Sequence, residues 1–276
     1  MLRKIYITSL AIFMLTLSPV LAQQWEVGAN LSGSGYMGDI NPSNPIYFKS
    51  FAGGINLKYN FNPTWGVKAG ANFLELTGSD RDFSSQLQQN RNLNFRNHVL
   101  EVSAVAEFNF FKFIANRKDN RYTPYLFAGV AGIMHNPFVT FSTGEKYYLR
   151  DLYLENDLFD RSYKPSRYAV AIPFGAGFKY NISGPWTLGA EIGYRTALTD
   201  HIDNVSGNYT TLIYSDLPAS TRARIDEATW LFLADKSNNL EENAGKMRGN
   251  GQPLDGYMTA GVTVTYTFIS RKCYWW

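Results

Sequence analysis

The chain has 276 residues, room for one large domain or two ordinary ones, and its charged fraction of 18% sits below the roughly 25% of a soluble globular protein. Aromatics at 16% and 23 glycines make it too apolar for disorder and too glycine-rich for a helical bundle. Mean hydropathy is −0.24, so the apolar residues are dispersed; that excludes a polytopic helical membrane protein, whose spans need about 20 consecutive apolar residues, and the single cysteine excludes an internal disulfide framework or a thiolate metal cage.

Met1-Leu2-Arg3-Lys4 supplies a basic start, and Ile5–Leu17 an apolar stretch too short to span a bilayer comfortably. Ser18–Ala22 then ends on a small residue. Residues 1–22 read as a secretory signal peptide cut after Ala22, in preference to an uncleaved anchor helix. No cysteine stands near the cut, so this is not a lipoprotein signal. Removing Arg3 and Lys4 from the 26 basic residues leaves 24 against 23 acidic ones. A nearly neutral chain without a basic stripe argues against nucleic acid.

Eight segments then alternate with period 2 between turn or loop signals. They are Trp25–Met37, Ser50–Phe61, Gly66–Leu76, His98–Phe110, Pro124–His135, Tyr168–Tyr180, Trp186–Thr196 and Gly256–Phe268. In the second, Phe51, Ile55, Leu57, Tyr59 and Phe61 fall on one face, opposite Asn56, Lys58 and Asn60. In the last, Val262, Val264, Tyr266 and Phe268 oppose Thr263, Thr265 and Thr267. Period 2 alone also fits a soluble sandwich. These strands, however, exceed the usual ~5–6 residues and match the ~9–11 needed to cross a bilayer at a tilt. Aromatics also collect at strand ends, at Tyr59/Phe61, Trp65, Phe108/Phe110/Phe111/Phe113, Tyr180, Trp186 and Tyr266/Phe268, as in an interfacial girdle.

The connections alternate in length. Asn62–Trp65 and Asn181–Pro185 are tight, and Phe111–Thr123 is modest and charged. The other four, near Gly38–Lys49, Thr77–Asn97, Asn136–Arg167 and Ala197–Asp255, are medium or long. Long external loops and short periplasmic turns make this pattern, and an even strand count puts both termini in the periplasm. The expected fold is therefore all-β: an eight-stranded antiparallel transmembrane β-barrel over residues 23–268 in the outer membrane of a Gram-negative bacterium, with a periplasmic tail over 269–276. Gly261–Phe268 also looks like the terminal-strand signal read by barrel-assembly machinery. In lipid an open sheet edge would leave unsatisfied N–H and C=O groups, so only a closed barrel is viable.

Eight strands leave an interior barely wide enough for their own side chains. The inward face carries Lys58, Lys68, Glu101, Glu107, Lys179, Glu191 and Arg195. A buried, mutually neutralising ion-pair network is expected there, a plug in preference to a conducting pore.

Little in the sequence points to chemistry. His98, His135 and His201 fall near the external strand ends, where Asp200 or Asp203 would add carboxylates. Their spacing matches no ligand motif, so no metal and no cofactor is assigned. There is no Gly-x-Ser-x-Gly motif, and the strand serines lack a histidine partner, so no enzyme and no small-molecule substrate is read. Gly28–Gly38 superficially matches a phosphate loop but lies in an alternating strand and lacks the Lys-Ser/Thr ending. The charged segments Gly78–Asp82 and Asn90–Arg96 read as solvated or mutually paired, with a docking surface as the other reading. Ser220–Asn239 is helix-prone.

Several strings occur in order along the chain. They are Gly38–Pro42, Leu57–Pro63, Ser79–Arg81, Asn92–Arg96, Glu107–Phe111, Thr123–Gly129, Ile172–Gly175, Gly189–Arg195 and Thr199–Asp203. Through these strings, from Trp25 to Cys273, the chain resembles the small outer-membrane β-barrel subunit of the type IX secretion system, the PorG-like family. The resemblance implies a role in protein export, not catalysis. It further implies association with a periplasmic ring built from a lipoprotein and a soluble partner. A surface adhesin or generic small barrel using its long loops is the competing class. Beyond Phe268 the chain runs on through Cys273, Tyr274, Trp275 and Trp276. A lone cysteine in an oxidising compartment suggests intermolecular pairing, Arg271 and Lys272 favour the thiolate, and the three aromatics are hot-spot residue types. Given the resemblance, the expectation is that this tail docks on the ring and that Cys273 forms a disulfide with its lipoprotein.

Overall fold

Alternating side chains become strands wherever each face finds its own environment, and the pairing of these strands closes on itself. The computed structural model describes residues 25–44, 46–117, 120–141, 143–156 and 163–269; the expected signal peptide and Cys273, Tyr274, Trp275 and Trp276 lie outside the described residues. In chain order the strands are β1 (Trp25–Met37), β2 (Ser50–Asn60), β3 (Trp65–Ser79), β4 (Asn94–Asn109), β5 (Tyr122–Met134), β6 (Phe138–Thr140), β7 (Lys146–Tyr148), β8 (Glu155–Asn156), β9 (Tyr168–Ser183), β10 (Trp186–Ala197), β11 (Asn208–Tyr209) and β12 (Gly256–Thr267). Eight of them form a ring in the order β1-β2-β3-β4-β5-β9-β10-β12, every neighbour antiparallel, with β12 returning to β1. The protein is a closed eight-stranded antiparallel β-barrel, as the alternation predicts.

The register aligns the aromatics into a girdle at the short-turn end. Trp25 stands opposite Tyr59, Trp65 opposite Phe108 and Trp186 opposite Tyr266. Their ring centroids lie 4.9, 4.8 and 5.1 Å apart, in the edge-on or tilted geometries that aromatic quadrupoles favour. Next to it runs an outward apolar belt in which Leu31, Ile55 and Tyr168 are 64%, 66% and 70% exposed. The connection after β4, expected as a charged turn, does more than turn. Its Phe113, Ile114 and Ala115 are buried, and the Phe113 N–H donates to Pro63 O at 3.1 Å. The mouth at this end is stoppered by its own turn.

At the other end the strands outrun their expected limits. β3 continues to Ser79 and β4 begins at Asn94, and the two remain paired there, Ser79 opposite Asn94. The reason is a reversal of polarity along β4. Below Val99 its outward residues Leu100 and Val102 are apolar and its inward Glu101 is charged. Above, the outward residues are His98, Arg96 and Asn94, while Val99 and Phe95 point inward and are buried. The period never breaks; the two faces exchange character.

The four long connections pack on this reversed end as a cap. The β6–β7 hairpin extends the wall at β4 through Arg96 and Phe138, and β8 pairs β11, tying the third loop to the fourth. A helix over Ala219–Arg222 overlaps the start of the helix-prone stretch, and one over Glu227–Ala234 falls within it. Asp226 caps the second of these by accepting from the Thr229 N–H at 2.9 Å. Leu152, Leu154, Ile202, Val205, Ile225, Trp230 and Leu233 join Tyr36, Leu76 and Phe95 of the barrel in one apolar core. Trp230 also donates its Nε1–H to Leu152 O at 2.8 Å.

Truncating Trp230 to Ala should cost the cap about 3–5 kcal/mol through the cavity it leaves. Limited trypsinolysis should then cut the fourth loop, at Arg222 or Arg224, while the unboiled protein keeps the altered gel mobility of a closed barrel. Loss of that mobility, or an unchanged digestion pattern, would contradict a cap that folds as a unit on a self-sufficient barrel.

Candidate functional site

Two polar constellations stand out, one in the lumen and one in the cap. In the lumen, Lys58 Nζ lies 2.6 Å from Glu26 Oε2 and 3.1 Å from Glu107 Oε1. Lys179 Nζ bonds the same Glu107 oxygen. One tier up, Lys68 Nζ meets Glu191 Oε2 at 2.7 Å, where the Tyr125 hydroxyl also donates at 3.0 Å. Above that, Arg195 Nε is 3.3 Å from Glu101 Oε2, which accepts from the Tyr257 hydroxyl at 2.8 Å. Asn72 Nδ2 donates to the other Glu101 oxygen at 3.0 Å. All seven residues singled out from the inward face thus lie along the lumen in three tiers.

The sequence reading left out Glu26. The seven residues alone carry four cations against three carboxylates, and Glu26 brings the balance to four against four. Its place beside Trp25 at the head of β1, directly opposite Lys58 in the register, was the available signal. Aromatic faces supply the remaining stabilisation, with Lys179 Nζ 4.9 Å from the Phe113 centroid and Lys68 Nζ 5.0 Å from that of Phe127.

The three histidines do not form one site: His135 lies within electrostatic range of His201, but His98 stands apart. His98 points outward between Phe73 and Phe138, with centroids 5.5 and 5.1 Å away. His135 is buried, and burial followed by the charge of Arg150 pulls its pKa down to about 4. His201 Nε2 sits 2.7 Å from the Tyr163 hydroxyl, and its pKa is lowered to about 4, chiefly by burial. Asp39, Asp203 and Asp255 meet instead, each offering a carboxylate oxygen, all within 4.8 Å of one another. Burial pushes Asp255 up to about 8 against the hydrogen bonds from Tyr36 and the Ile202 N–H. It likewise pushes Asp39 up to about 6, opposed by the Asn250 N–H and Arg91. Nearby Asp200 rises to about 8 through burial and the charges of Asp255 and Asp39.

The charged loop segments pair with each other. Arg91 forks onto Asp80 at 2.7 and 2.9 Å, and the same guanidinium donates to Asp39 O and Arg248 O, both at 2.9 Å. One arginine therefore ties the first, second and fourth loops together.

The sequence profile of a domain of unknown function, DUF6089, matches residues 3–220. The chain belongs to the DUF6089 family. No curated protein matches it. Among solved structures, this DUF6089 chain is similar to Neisserial surface protein A, with 11% identity, coverage of 88% of this chain and 97% of that one, and a TM-score of 0.42. It is also similar to OprG of Pseudomonas aeruginosa, with 9% identity, 90% and 97% coverage and a TM-score of 0.42. Ail of Yersinia pestis gives 12% identity, 90% and 100% coverage and a TM-score of 0.39. Likenesses this distant transfer neither function nor partners to the DUF6089 chain, and its barrel stands on its own strand pairing.

The lumen makes a quantitative prediction. Glu107→Gln leaves Lys58 with Glu26 but deprives Lys179 of its carboxylate, and a buried cation orphaned in this way costs about 3–5 kcal/mol. Adding Lys179→Met should recover most of that loss. Urea titration of the refolded protein in detergent or liposomes reads both. Equal losses in the single and double variants would show that the pair does not act as a unit.

Proposed function

We propose that this DUF6089 chain is an outer-membrane β-barrel with both termini in the periplasm, serving as a non-catalytic subunit of a type IX protein-export machine. The observation that carries the membrane half is the continuous outward belt of apolar side chains bounded by the aromatic girdle. Soluble proteins rarely expose contiguous apolar patches beyond a few hundred Å², whereas a bilayer-spanning barrel needs a band about 25 Å tall. The lumen agrees with that reading, since its polar groups are matched in charge and withdrawn from the belt.

The export half draws on the ordered strings from Trp25 to Cys273 and their resemblance to the secretion subunit. On this reading the stoppered short-turn end faces a periplasmic ring of a lipoprotein and its soluble partner, and outer-membrane lipid surrounds the belt. The cap favours a second reading. Long loops that share an apolar core offer a preformed surface, as a binding module with no secretion role would.

Two measurements test the membrane half, and a third separates the export and binding-module readings. Ile55→Arg should cost up to about 2–4 kcal/mol of barrel stability if Ile55 lies near the midplane of a bilayer, whereas a soluble barrel would tolerate it. Cysteines placed at Thr143 or Lys164 should label on intact cells, and those at Asn62 or Gly184 only after the outer membrane is opened. Deleting the gene should trap export cargo in the periplasm, and gentle solubilisation should recover ring proteins with the barrel. Normal export with no ring protein recovered would leave the binding-module reading in its place.

A further inference from the structure

We propose that the cap is built around a divalent cation of the calcium class, held by Asp39, Asp203 and Asp255. The three come from the first loop, the fourth loop and the residue before β12, yet each places a carboxylate oxygen within 4.8 Å of the others. Oxygens sharing one Ca²⁺ at about 2.3–2.6 Å are separated by at most about 5 Å. The set is therefore close enough for its oxygens to share one ion. The three residues are 2%, 0% and 1% exposed.

Counted as ionised carboxylates, the three have more acceptor capacity than the donors around them fill. Asp203 accepts from the Val205 N–H at 2.8 Å and Asp255 from the Ile202 N–H at 2.8 Å. Their other oxygens, Asp203 Oδ2 and Asp255 Oδ1, both lie 2.6 Å from the Tyr36 hydroxyl. A phenol carries one proton and can donate to only one of them. Asp39 accepts from the Asn250 N–H through Oδ1, and its Oδ2 is buried with no partner. Beside Asp203, Asn204 is held at φ 61° with its Oδ1 also buried and unpartnered. Orphaned buried acceptors are costly and call for an explanation. A cation supplies one, because it needs acceptors and brings no hydrogen.

The surrounding charge points the same way. Asp39, Asp80, Glu155, Asp200, Asp203 and Asp255 face Arg91, Arg248 and Lys236, a formal −3 when all are ionised. Both arginines are already engaged, Arg91 with Asp80 at 2.7 Å and Arg248 with Glu155 at 2.8 Å. Arg91 reaches Asp39 at its main-chain oxygen, 2.9 Å away, not at its carboxylate. The backbone is shaped to permit the cluster. A Cβ on Gly38 would stand 2.0 Å from Asp255 Oδ1 and 2.1 Å from the Tyr36 hydroxyl, so only glycine lets the first loop pass this close. All-oxygen donors select Mg²⁺, Ca²⁺ or Mn²⁺. Near-complete burial disfavours Mg²⁺, which keeps several waters.

The test uses full-length protein in detergent, stripped with EGTA. Equilibrium dialysis with radioactive Ca²⁺ should show saturable binding of a single ion per chain, outlasting an equal concentration of Mg²⁺. Tb³⁺ bound there should luminesce on tyrosine excitation, because Tyr36 touches two of the ligands. Asp39→Asn and Asp255→Asn should each weaken binding about tenfold or more, while Asp151→Asn, in a separate loop cluster with Arg150 and Lys164, should leave it unchanged. Gel mobility before boiling checks that each variant still closes its barrel. If a variant fails that check, wild type decides: Ca²⁺ should slow tryptic cleavage at Arg222 and Arg224 several-fold relative to EGTA. Absent or unsaturable binding by wild type, undiminished binding by Asp39→Asn, or cleavage indifferent to Ca²⁺ would overturn the proposal.

Discussion

An eight-stranded barrel that gives its outer face to apolar side chains has one place left for its strand-borne charges, and that place is about as wide as the side chains themselves. Much of the arrangement follows from that confinement. A lone cation there would keep its full desolvation cost, so each must find a carboxylate within the width of the lumen. The strands meet the requirement by stagger. Lys58 and Lys68 stand opposite each other in the β2–β3 register, where like charges would repel. They turn to different tiers, one to Glu26 and Glu107, the other to Glu191. Glycines on the same face make room: a Cβ on Gly177 would strike the Tyr125 ring at 2.3 Å, and Tyr125 is the residue that completes the Glu191 tier.

The same confinement ends where the belt ends. Once the outward residues become polar, the interior is free to become apolar, and the strands continue as the wall of an ordinary hydrophobic core. Phe95 packs edge-on against Tyr36 with centroids 4.8 Å apart, and the loops close over both. The barrel is therefore two proteins in sequence along one axis, polar-cored below and apolar-cored above. The charged side chains of the upper part stay outside the apolar core, as with Arg96 on Glu75 at 3.2 Å, are paired within the loops, as with Arg91 on Asp80, or gather in the cluster of Asp39, Asp203 and Asp255.

This division also explains what could be read from the residues. The identity, number and pairing order of the eight barrel strands were legible because period 2 persists whatever the environment, as in Phe51–Tyr59 against Asn56 and Lys58, whereas the short loop strands β6, β7, β8 and β11 were not. The extensions of β3 and β4 were not, because Thr77, Ser79, Asn94 and Arg96 read as loop when apolar is equated with outward. Phe113 looked like girdle, since nothing local distinguishes an aromatic lying on the rim from one folded under it. Asp203 was visible as a rim carboxylate in Thr199–Asp203, but grouped there with histidines. Its actual companions, Asp39 and Asp255, lie 164 positions before and 52 after it, and no motif spacing describes residues joined only by loop packing.

Tyr36 is where the two halves meet. It is the last inward aromatic of β1, its ring belongs to the apolar core that begins at Leu74 and Val99, and its hydroxyl ends on the two aspartates. The strand below it is held rigid by pairing on both sides, with β2 and with β12, so the position of the hydroxyl is set by the barrel and not by the loops. Loop segments that reach Asp203 and Asp255 are thereby referenced to the strand framework, and Asn97, bonding Ile202 O at 2.6 Å, repeats the arrangement from β4. Long connections usually carry variety at the expense of definition. Here barrel side chains of fixed height reach up into the cap, and the outer surface of the loops inherits the definition of the sheet.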